Sequence, residues 1–263
     1  MSDLEFRDVT VTFGEGSDAF TAVRGVSLTV GSGRITGLVG ESGSGKSTLA
    51  RAAVGLHEPS SGEILLDSVD VVRASGDRAR LRRRIQMIFQ DPQACLDPRR
   101  TVASSLVEAL DARDRRDGGR RGSRASRGPE VERLLTSVSL PPTFATRYPN
   151  QLSGGQRQRV AIARALAAGP SVVLADEITS ALDVSVQGAV LNLLVDVQRE
   201  LGLTILFVSH NLAVVRHVCD RVAVMRAGEI VEEGEVLQVL EQPGHEYTRT
   251  LVDAVPEVGV PLW

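Results

Sequence analysis

The chain has 263 residues and a formal net charge of −3, with 30 Lys and Arg against 33 Asp and Glu. This length suits one large domain or a core with a subdomain, and the balance of charge excludes a generally basic surface for nucleic acid or an anionic membrane. No apolar stretch approaches the roughly 20 residues that span a bilayer. The N-terminus has no signal-peptide pattern, so we expect a soluble protein that is not exported.

The N-terminal part of the chain predicts a small β region followed by a phosphate-binding loop. Apolar and polar residues alternate over 4–30, with glycines between them, which is typical of antiparallel strands. A short apolar strand at 35–39 leads into a glycine-rich loop at 40–48, and residues 46–56 have the composition of a helix. Strand, glycine loop and helix in this order are the context that a phosphate-binding loop requires.

The rest of the chain alternates strands with helices, which predicts a largely parallel sheet of the α/β class. The predicted elements are a strand around 64–66, a basic turn at 78–84, a strand at 85–90, helical pieces around a polar insert at 101–152, a helix at 153–168, a strand at 171–176, a helix at 184–201, a strand at 204–209 and an edge hairpin at 221–232. The two cysteines, Cys95 and Cys219, lie far apart without metal-ligand spacing, so we expect unpaired thiols.

The glycine-rich loop has the residues that a nucleotide triphosphate needs. Gly43 and Gly45 tolerate positive φ and let the backbone approach closely, and the N–H groups at the start of the following helix attract phosphate. Lys46 is expected to reach the β- and γ-phosphates, Ser47 to give its hydroxyl to Mg²⁺, and Thr48 to contact the α-phosphate. The predicted nucleotide-binding set is Gly40, Glu41, Ser42, Gly43, Ser44, Gly45, Lys46, Ser47 and Thr48.

Two further segments of the chain carry groups that suit a bound nucleotide. Asp176 and Glu177 follow four apolar residues, so their carboxylates emerge at the carboxyl edge of the predicted sheet, where ligands of open α/β sheets bind. We expect Asp176 to hold Mg²⁺, directly or through water. Between this pair and the loop stands Leu-Ser-Gly-Gly-Gln at 152–156, where a helix start offers a second anion-binding arrangement.

Together the glycine loop, the Leu-Ser-Gly-Gly-Gln run and the strand with two carboxylates resemble the ATP-binding cassette (ABC) ATPases. The resemblance extends from Phe13 to about residue 256. It implies ATP hydrolysis with Mg²⁺ on a P-loop NTPase (RecA-like) core with a mostly parallel sheet, an N-terminal antiparallel β subdomain and an α-helical signature subdomain. The implied division is a single domain at 1–250, with the core and β subdomain at 1–95 and 157–240, the helical subdomain at 96–156, and a short C-terminal extension at 241–263.

The resemblance also assigns roles to single residues. Glu177 corresponds to the glutamate that polarises the attacking water, Gln90 to the glutamine that contacts Mg²⁺ and this water, and His210 to the switch histidine that contacts the γ-phosphate. Phe13 corresponds to the aromatic residue that stacks on adenine, usually a tyrosine, with simple strand packing as the alternative. The implied catalytic residues are Lys46, Gln90, Glu177 and His210, and the implied Mg²⁺ ligands are Ser47, Gln90 and Asp176.

Because the chain already has one complete phosphate loop, the second donor cluster suggests a second nucleotide. In ABC ATPases two cassettes pack head to tail. The Leu-Ser-Gly-Gly-Gln run of each cassette, called the signature, caps the γ-phosphate of the ATP that the other cassette holds. A second ATPase subunit, identical or paralogous, is therefore expected. Residues 180–183 match the D-loop, the segment of the family that crosses the interface between the two cassettes, and Asp183 is its last residue. The implied set that acts on the nucleotide of the other cassette is Ser153, Gly154, Gly155 and Gln156.

Two residues depart from the usual family pattern. Ile178 and Asn211 stand where the family usually has proline and aspartate, and neither change removes a catalytic group.

Four stretches resemble the oligopeptide, dipeptide and nickel importer group within this family: 90–102, 180–194, 212–217 and 245–251. This implies an ATPase on the cytoplasmic face of the membrane, bound to two transmembrane permease subunits and served indirectly by an extracytoplasmic substrate-binding protein. Peptide and nickel cargo both stay open, because other subunits recognise the cargo. Residues 257–263 contain no cysteine, so we expect no iron–sulfur cluster there.

Two other classes of function fit the sequence less well. A non-transport ABC protein acting on DNA or ribosomes would show a coiled-coil or zinc insertion or a second cassette, and none is visible; no nucleic-acid partner is expected. A P-loop kinase or GTPase would leave the Leu-Ser-Gly-Gly-Gln run unexplained. The arginine-rich segment at 113–127 is interpreted as a solvated loop, with a contact to lipid headgroups or nucleic acid as the alternative.

Overall fold

The computed structural model describes residues 2–73, 79–119 and 127–254. The strands are β1 (Leu4–Phe13), β2 (Phe20–Val30), β3 (Ile35–Val39), β4 (Ser61–Leu66), β5 (Val69–Asp70), β6 (Ile85–Ile88), β7 (Val172–Asp176), β8 (Thr204–Ser209), β9 (Arg221–Arg226) and β10 (Glu229–Glu235). The α-helices are α1 (Lys46–Ala53), α2 (Ala79–Arg82), α3 (Val102–Arg116), α4 (Gly128–Ser137), α5 (Gly154–Ala167), α6 (Val184–Leu201), α7 (Leu212–Val218), α8 (Val236–Glu241) and α9 (Glu246–Asp253).

The strands form two sheets. An antiparallel sheet with the order β2-β1-β4-β5 confirms the predicted N-terminal β region. A larger sheet has the order β10-β9-β3-β8-β7-β6, in which every neighbouring pair is parallel except β9 and β10. This confirms the predicted α/β class with a mostly parallel sheet and an edge hairpin.

The central strands β3, β7 and β8 are buried on both faces, as expected for continuous apolar runs in a parallel sheet. In β7, Val173 belongs to one hydrophobic cluster and Leu174 to the other, so the two clusters lie on opposite faces of the sheet. One cluster packs α1 and the antiparallel sheet, and the other packs α3, α5 and α6. Because β3, β8 and β7 are parallel neighbours, their carboxyl ends meet at a single edge of the sheet.

Several element boundaries differ from the sequence prediction. Helix α1 ends at Ala53 and not at residue 56, because Gly55 adopts φ +74° and its N–H closes on the carbonyl of Ala52. The predicted basic turn at 78–84 contains the short helix α2, and residue 78 lies outside the described part. Among the helices of the described ranges, none is long and apolar enough to cross a membrane. Cys95 and Cys219 are free thiols.

The arginine-rich segment departs from the expected solvated loop. Arg127, at the start of α4, has a side chain only 4% exposed and pairs with Asp111 at 3.2 Å, with Glu130 at 2.8 Å and with Asp114. Arg116 donates to the backbone carbonyls of residues 168 and 169, just beyond α5, at 3.0 Å each. Acidic residues within and next to the arginine-rich segment are therefore the partners of Arg127. The predicted loop residues at 120–126 lie outside the described residues.

A close approach of helices α5 and α6 depends on Gly155. A Cβ added there would lie 2.4 Å from Cγ1 of Val186, well inside van der Waals contact. At the preceding residue, Gly154, an added Cβ would make an ordinary 3.4 Å contact with Leu182. The second glycine of the signature run is thus required by packing within this chain.

We expect Arg127→Met to lower the free energy of unfolding by about 2–3 kcal/mol, because it removes a buried guanidinium that pairs with the carboxylates of Asp111, Asp114 and Glu130. Arg115→Met removes an exposed arginine from the same segment and should change stability by less than about 0.5 kcal/mol. Urea unfolding measures both values. Equal effects of the two substitutions would show that the buried ion pair contributes nothing specific.

We expect Gly155→Ala to lower the free energy of unfolding by about 1–2 kcal/mol, because its methyl group overlaps Val186. Gly154→Ala should be nearly neutral. In a Val186→Ala background the cost of Gly155→Ala should largely disappear, because the overlapping methyl group is gone. A double-mutant cycle by urea unfolding tests this, and additive costs would contradict the packing explanation.

Candidate nucleotide-binding site

The loop between β3 and α1 is built on glycines that serve two purposes. Gly40 and Gly45 are pressed against neighbouring backbone: added Cβ atoms would lie 2.1 Å from the carbonyl oxygen of Met225 and 2.4 Å from that of Ala22. Gly43 differs, because a Cβ there would meet no atom within 4 Å. All three glycines have positive φ, between +81° and +152°. The loop is therefore fixed from behind and open on the side of Gly43.

Lys46 is buried within this loop, with only 4% of its surface exposed. Its Nζ donates to the backbone carbonyls of Gly40 at 2.9 Å and Glu41 at 2.7 Å, and to Ser44 Oγ at 3.3 Å. Burial lowers the pKa of Lys46, while the nearby carboxylates of Glu177 and Asp176 act in the opposite direction. The structure thus holds an ammonium group on the loop, close to the acidic pair that follows β7.

Ser47 and Asp176 are joined directly. Ser47 Oγ donates to Asp176 Oδ1 at 2.7 Å, and Arg51 Nη2 lies 3.8 Å from the other carboxylate oxygen. Asp176 is only 3% exposed, and this burial raises its pKa although Ser47 and Arg51 oppose the change. A hydroxyl and a carboxylate oxygen side by side are the hard ligands that Mg²⁺ prefers, so these two residues fit that ion.

Glu177 occupies a turn in the left-handed region, with φ +47°. Its N–H donates to the carbonyl of Val208 at 3.0 Å, which ties the end of β7 to the end of β8. Its Oε1 lies 3.2 Å from His210 Nδ1, and its side chain is 19% exposed. A glutamate held in a strained turn, beside a histidine and at the edge of a sheet, is typical of a functional position.

Gln90 is linked to the turn at Glu177 through the side chain of Ser180. Strand β6 ends at Ile88, two residues earlier than the prediction that placed Gln90 at its end. Gln90 is exposed, and its Nε2 donates to Ser180 Oγ at 3.0 Å. Ser180 Oγ in turn donates to the carbonyl of Glu177 at 3.0 Å. Gln90 is therefore attached to the loop that carries Glu177.

The two departures from the family pattern have local explanations. Asn211 is the N-cap of α7, and its Oδ1 accepts the N–H groups of Ala213 at 3.0 Å and Val214 at 3.3 Å. An aspartate would cap the helix through the same oxygen. Ile178 is only 1% exposed and belongs to the hydrophobic cluster on the α5 and α6 face of the sheet. Both residues thus satisfy local structure at their positions.

The signature run begins helix α5. Ser153 Oγ accepts the N–H of Gln156 at 3.3 Å, and Gln156 Oε1 accepts the N–H of Ser153 at 3.0 Å, which is a reciprocal capping box. Ser153 is exposed. Asp183, the N-cap residue of α6, is also exposed and makes no side-chain capping bond. Gly154 and Gly155 follow Ser153 as the first two residues of the helix.

Phe13 lies at the end of β1 and is 39% exposed. Its ring meets the His57 ring edge-on, with centroids 5.0 Å apart, and its strand partner Phe20 is 60% exposed. His57 matches no nucleotide motif, so the sequence assigned it no nucleotide role. The hydroxyl of Tyr247, in α9, accepts the N–H of Glu41 in the loop. This contact was also missed, since the segment around Tyr247 served only as a mark of the importer group.

A family model for ABC transporters matches residues 23–180 of the chain. The chain is 46% identical over 262 residues to the oligopeptide transport ATP-binding protein AmiF of Streptococcus pneumoniae, covering 96% of this chain and 81% of that protein. It is 51% identical over 237 residues to the glutathione import ATP-binding protein GsiA of Salmonella choleraesuis, covering 89% of this chain and 37% of that longer protein.

A solved structure of the ATP-binding cassette MJ0796, a dimer in a post-hydrolysis state bound to ADP and Pi, superposes with a TM-score of 0.74 and 33% sequence identity. The match covers 89% of this chain and 98% of that one. Fold, motif order and these similarities agree, and they confirm the family that the sequence resembles. The chain therefore belongs to the ABC transporter family, as one of its ATP-binding cassette ATPases.

Proposed function

We propose that the chain is the ATP-hydrolysing subunit of an importer for oligopeptides or dipeptides. The observation that carries the chemistry is the convergence of Lys46, Ser47, Asp176 and Glu177 at one sheet edge, beside a loop that is open at Gly43. The cargo is supported by the two relatives, which are named for oligopeptide transport and for glutathione import. Nickel, the other cargo open from the sequence, has no support from these two names.

The loop is proposed to bind the triphosphate of ATP. Lys46 Nζ is held by carbonyl and hydroxyl oxygens, and phosphate oxygens of ATP would replace them with a stronger charge-assisted interaction. The residues 40–48 supply N–H groups and the start of α1. Phe13 is proposed to stack on adenine, which its 39% exposure and its position beside His57 permit.

Mg²⁺ is proposed to bind Ser47, Asp176 and the amide oxygen of Gln90. Bound there, the ion would neutralise negative charge that develops on the phosphates. These residues would offer a hydroxyl, a carboxylate and an amide oxygen, which are the hard ligands that Mg²⁺ prefers. The Ser47–Asp176 hydrogen bond keeps both oxygens at one place.

Glu177 is proposed to orient and polarise the attacking water. Its carboxylate lies at the sheet edge next to Asp176 and is partly exposed, so a water molecule can reach it. His210 lies 3.2 Å from this carboxylate and is itself 59% exposed, which suits a residue that orients Glu177 and contacts the γ-phosphate. Phosphoryl transfer needs little covalent help beyond such positioning and charge stabilisation.

The signature is proposed to act on the ATP of a second cassette. Ser153 is exposed, and the N–H groups of Gly154 and Gly155 belong to the first turn of α5, where backbone donors have no partner within the helix. Gln156 holds Ser153 through the capping box, and Asp183 stands exposed at the start of the neighbouring helix. The dimeric state of the related cassette structure supports this pairing.

The assembly is proposed from the importer group that the sequence resembles. A second ATPase subunit, identical or paralogous, and two permease subunits would complete the transporter at the cytoplasmic face of the membrane, and a substrate-binding protein outside would deliver the peptide. The division into a core at 1–95 and 157–240, a helical subdomain at 96–156 and an extension at 241–263 is part of the same proposal. No nucleic acid partner is invoked.

Glu177→Gln should lower ATP hydrolysis at least about 100-fold, because an amide cannot polarise water as a carboxylate does. ATP binding should persist, and ATP-bound dimers should accumulate because the shared phosphate is not removed. Phosphate release with the companion subunits present measures hydrolysis, and light scattering of the ATPase subunits without the permeases measures the ATP-bound dimers. Glu229→Gln, on the exposed edge strand β10, is the matched control and should hydrolyse ATP at the wild-type rate.

Hydrolysis by Glu177→Gln within a few fold of wild type would contradict the role proposed for this residue, and an inactive wild-type complex would contradict the proposed function.

The cargo is tested in the same complex after reconstitution with the permeases and the binding protein. Labelled oligopeptide should enter vesicles only with ATP. Uptake of radioactive nickel instead of peptide would contradict the cargo.

A further inference from the structure

The C-terminal helix α9 touches the phosphate-binding loop through one side chain. Tyr247 is only 6% exposed, and its hydroxyl accepts the backbone N–H of Glu41 at 3.1 Å. The two residues are 206 positions apart in the chain. We infer that Tyr247 is a positioning residue for the phosphate-binding loop, so that the C-terminal extension forms part of the ATP site. This inference rests on the proposed function.

The peptide unit that Tyr247 holds is the one that also contacts Lys46. The Gly40–Glu41 peptide is planar, so its carbonyl and N–H groups turn together. Its carbonyl oxygen accepts from Lys46 Nζ at 2.9 Å, and its N–H donates to Tyr247. Rotation of this peptide would break both bonds at once. Tyr247 therefore fixes the orientation of the group on which Lys46 rests.

Tyr247 is itself held by contacts that do not involve the loop. Glu232 in β10 accepts the N–H groups of Gly244 at 2.8 Å and His245 at 3.1 Å, which anchors the start of α9. His245 Nδ1 accepts the N–H of Tyr247 at 3.1 Å. The guanidinium of Arg226 lies 4.9 Å from the centre of the Tyr247 ring. The hydroxyl is thus presented to the loop from a fixed support.

The role of Tyr247 grows when nucleotide binds. As Lys46 transfers to phosphate oxygens, its bond to the Gly40 carbonyl is released, and the Tyr247 hydroxyl remains in contact with the N–H of this peptide. Close packing of Gly40 against the Met225 carbonyl limits the loop from the other side. Loss of the hydroxyl should therefore weaken nucleotide binding more than it weakens the folded chain.

The test is Tyr247→Phe in the full chain, which removes only the hydroxyl. We expect the Kd for MgATP, by calorimetric titration, to rise about threefold to tenfold, in line with the loss of one hydrogen bond. KM should rise by a similar factor while kcat changes less than about twofold, and exchange of the Glu41 amide hydrogen should become faster. Thr250→Val removes a hydroxyl from the same helix, which bonds to the Glu246 carbonyl and to no other group in the described part of the chain, and should leave all these values unchanged.

An unchanged Kd for MgATP together with unchanged Glu41 exchange in Tyr247→Phe would overturn the inference. Should this variant lose the folded state, Glu232→Gln repeats the test, because it weakens the anchor of α9 that presents the Tyr247 hydroxyl to the loop and leaves the tyrosine itself unchanged. MgATP must then bind more weakly to Glu232→Gln than to wild type, and wild-type affinity would overturn the inference. Failure of the wild-type chain to bind MgATP would instead contradict the proposed function.

Discussion

The burial of the Lys46 ammonium group at the carboxyl edge of the parallel sheet is the constraint on which the site depends. A buried cation is stable only where oxygen atoms surround it, and the loop supplies two carbonyls and a serine hydroxyl. These oxygens can converge only because Gly40 and Gly45 let the loop lie against the backbones of β9 and β2. The lysine side chain is therefore held in place by the loop itself.

The same edge of the sheet explains why distant motifs meet. Strands β3, β7 and β8 are parallel neighbours, and Asp176 pairs with Val208 while Val39 pairs with Ser209. Whatever follows each strand must then emerge at one place, which brings together the glycine loop, the two carboxylates and the histidine. The Ser47–Asp176 and Glu177–His210 contacts are consequences of this register.

Much of this arrangement could be predicted, because its signals are local. Buried strands such as β7 and β8 are continuous apolar runs, and helix α6 has apolar residues at helical spacing and was predicted with the bounds that the structure shows. The confirmed family and fold follow from motifs whose order along the chain already implies a common sheet edge. Roles of single residues, such as adenine stacking by Phe13, stay predictions.

The remaining features could not be predicted, because their partners come from distant segments. The arginines of the 113–127 segment resembled a solvated loop until α3 and α4 placed Arg127 against Asp111. Likewise, Gly155 is required by Val186, and Tyr247 meets the loop only because β10 anchors α9 beside it. Composition and periodicity carry no information on such pairings, which depend on how the elements pack.

A structure of the chain with Mg²⁺ and a non-hydrolysable ATP analogue tests the central claim most directly. The account predicts that Lys46 Nζ leaves the carbonyls of Gly40 and Glu41 for phosphate oxygens, while Ser47 and Asp176 both face the ion. A nucleotide bound away from this loop, or bound with Lys46 still on the loop carbonyls, would contradict it.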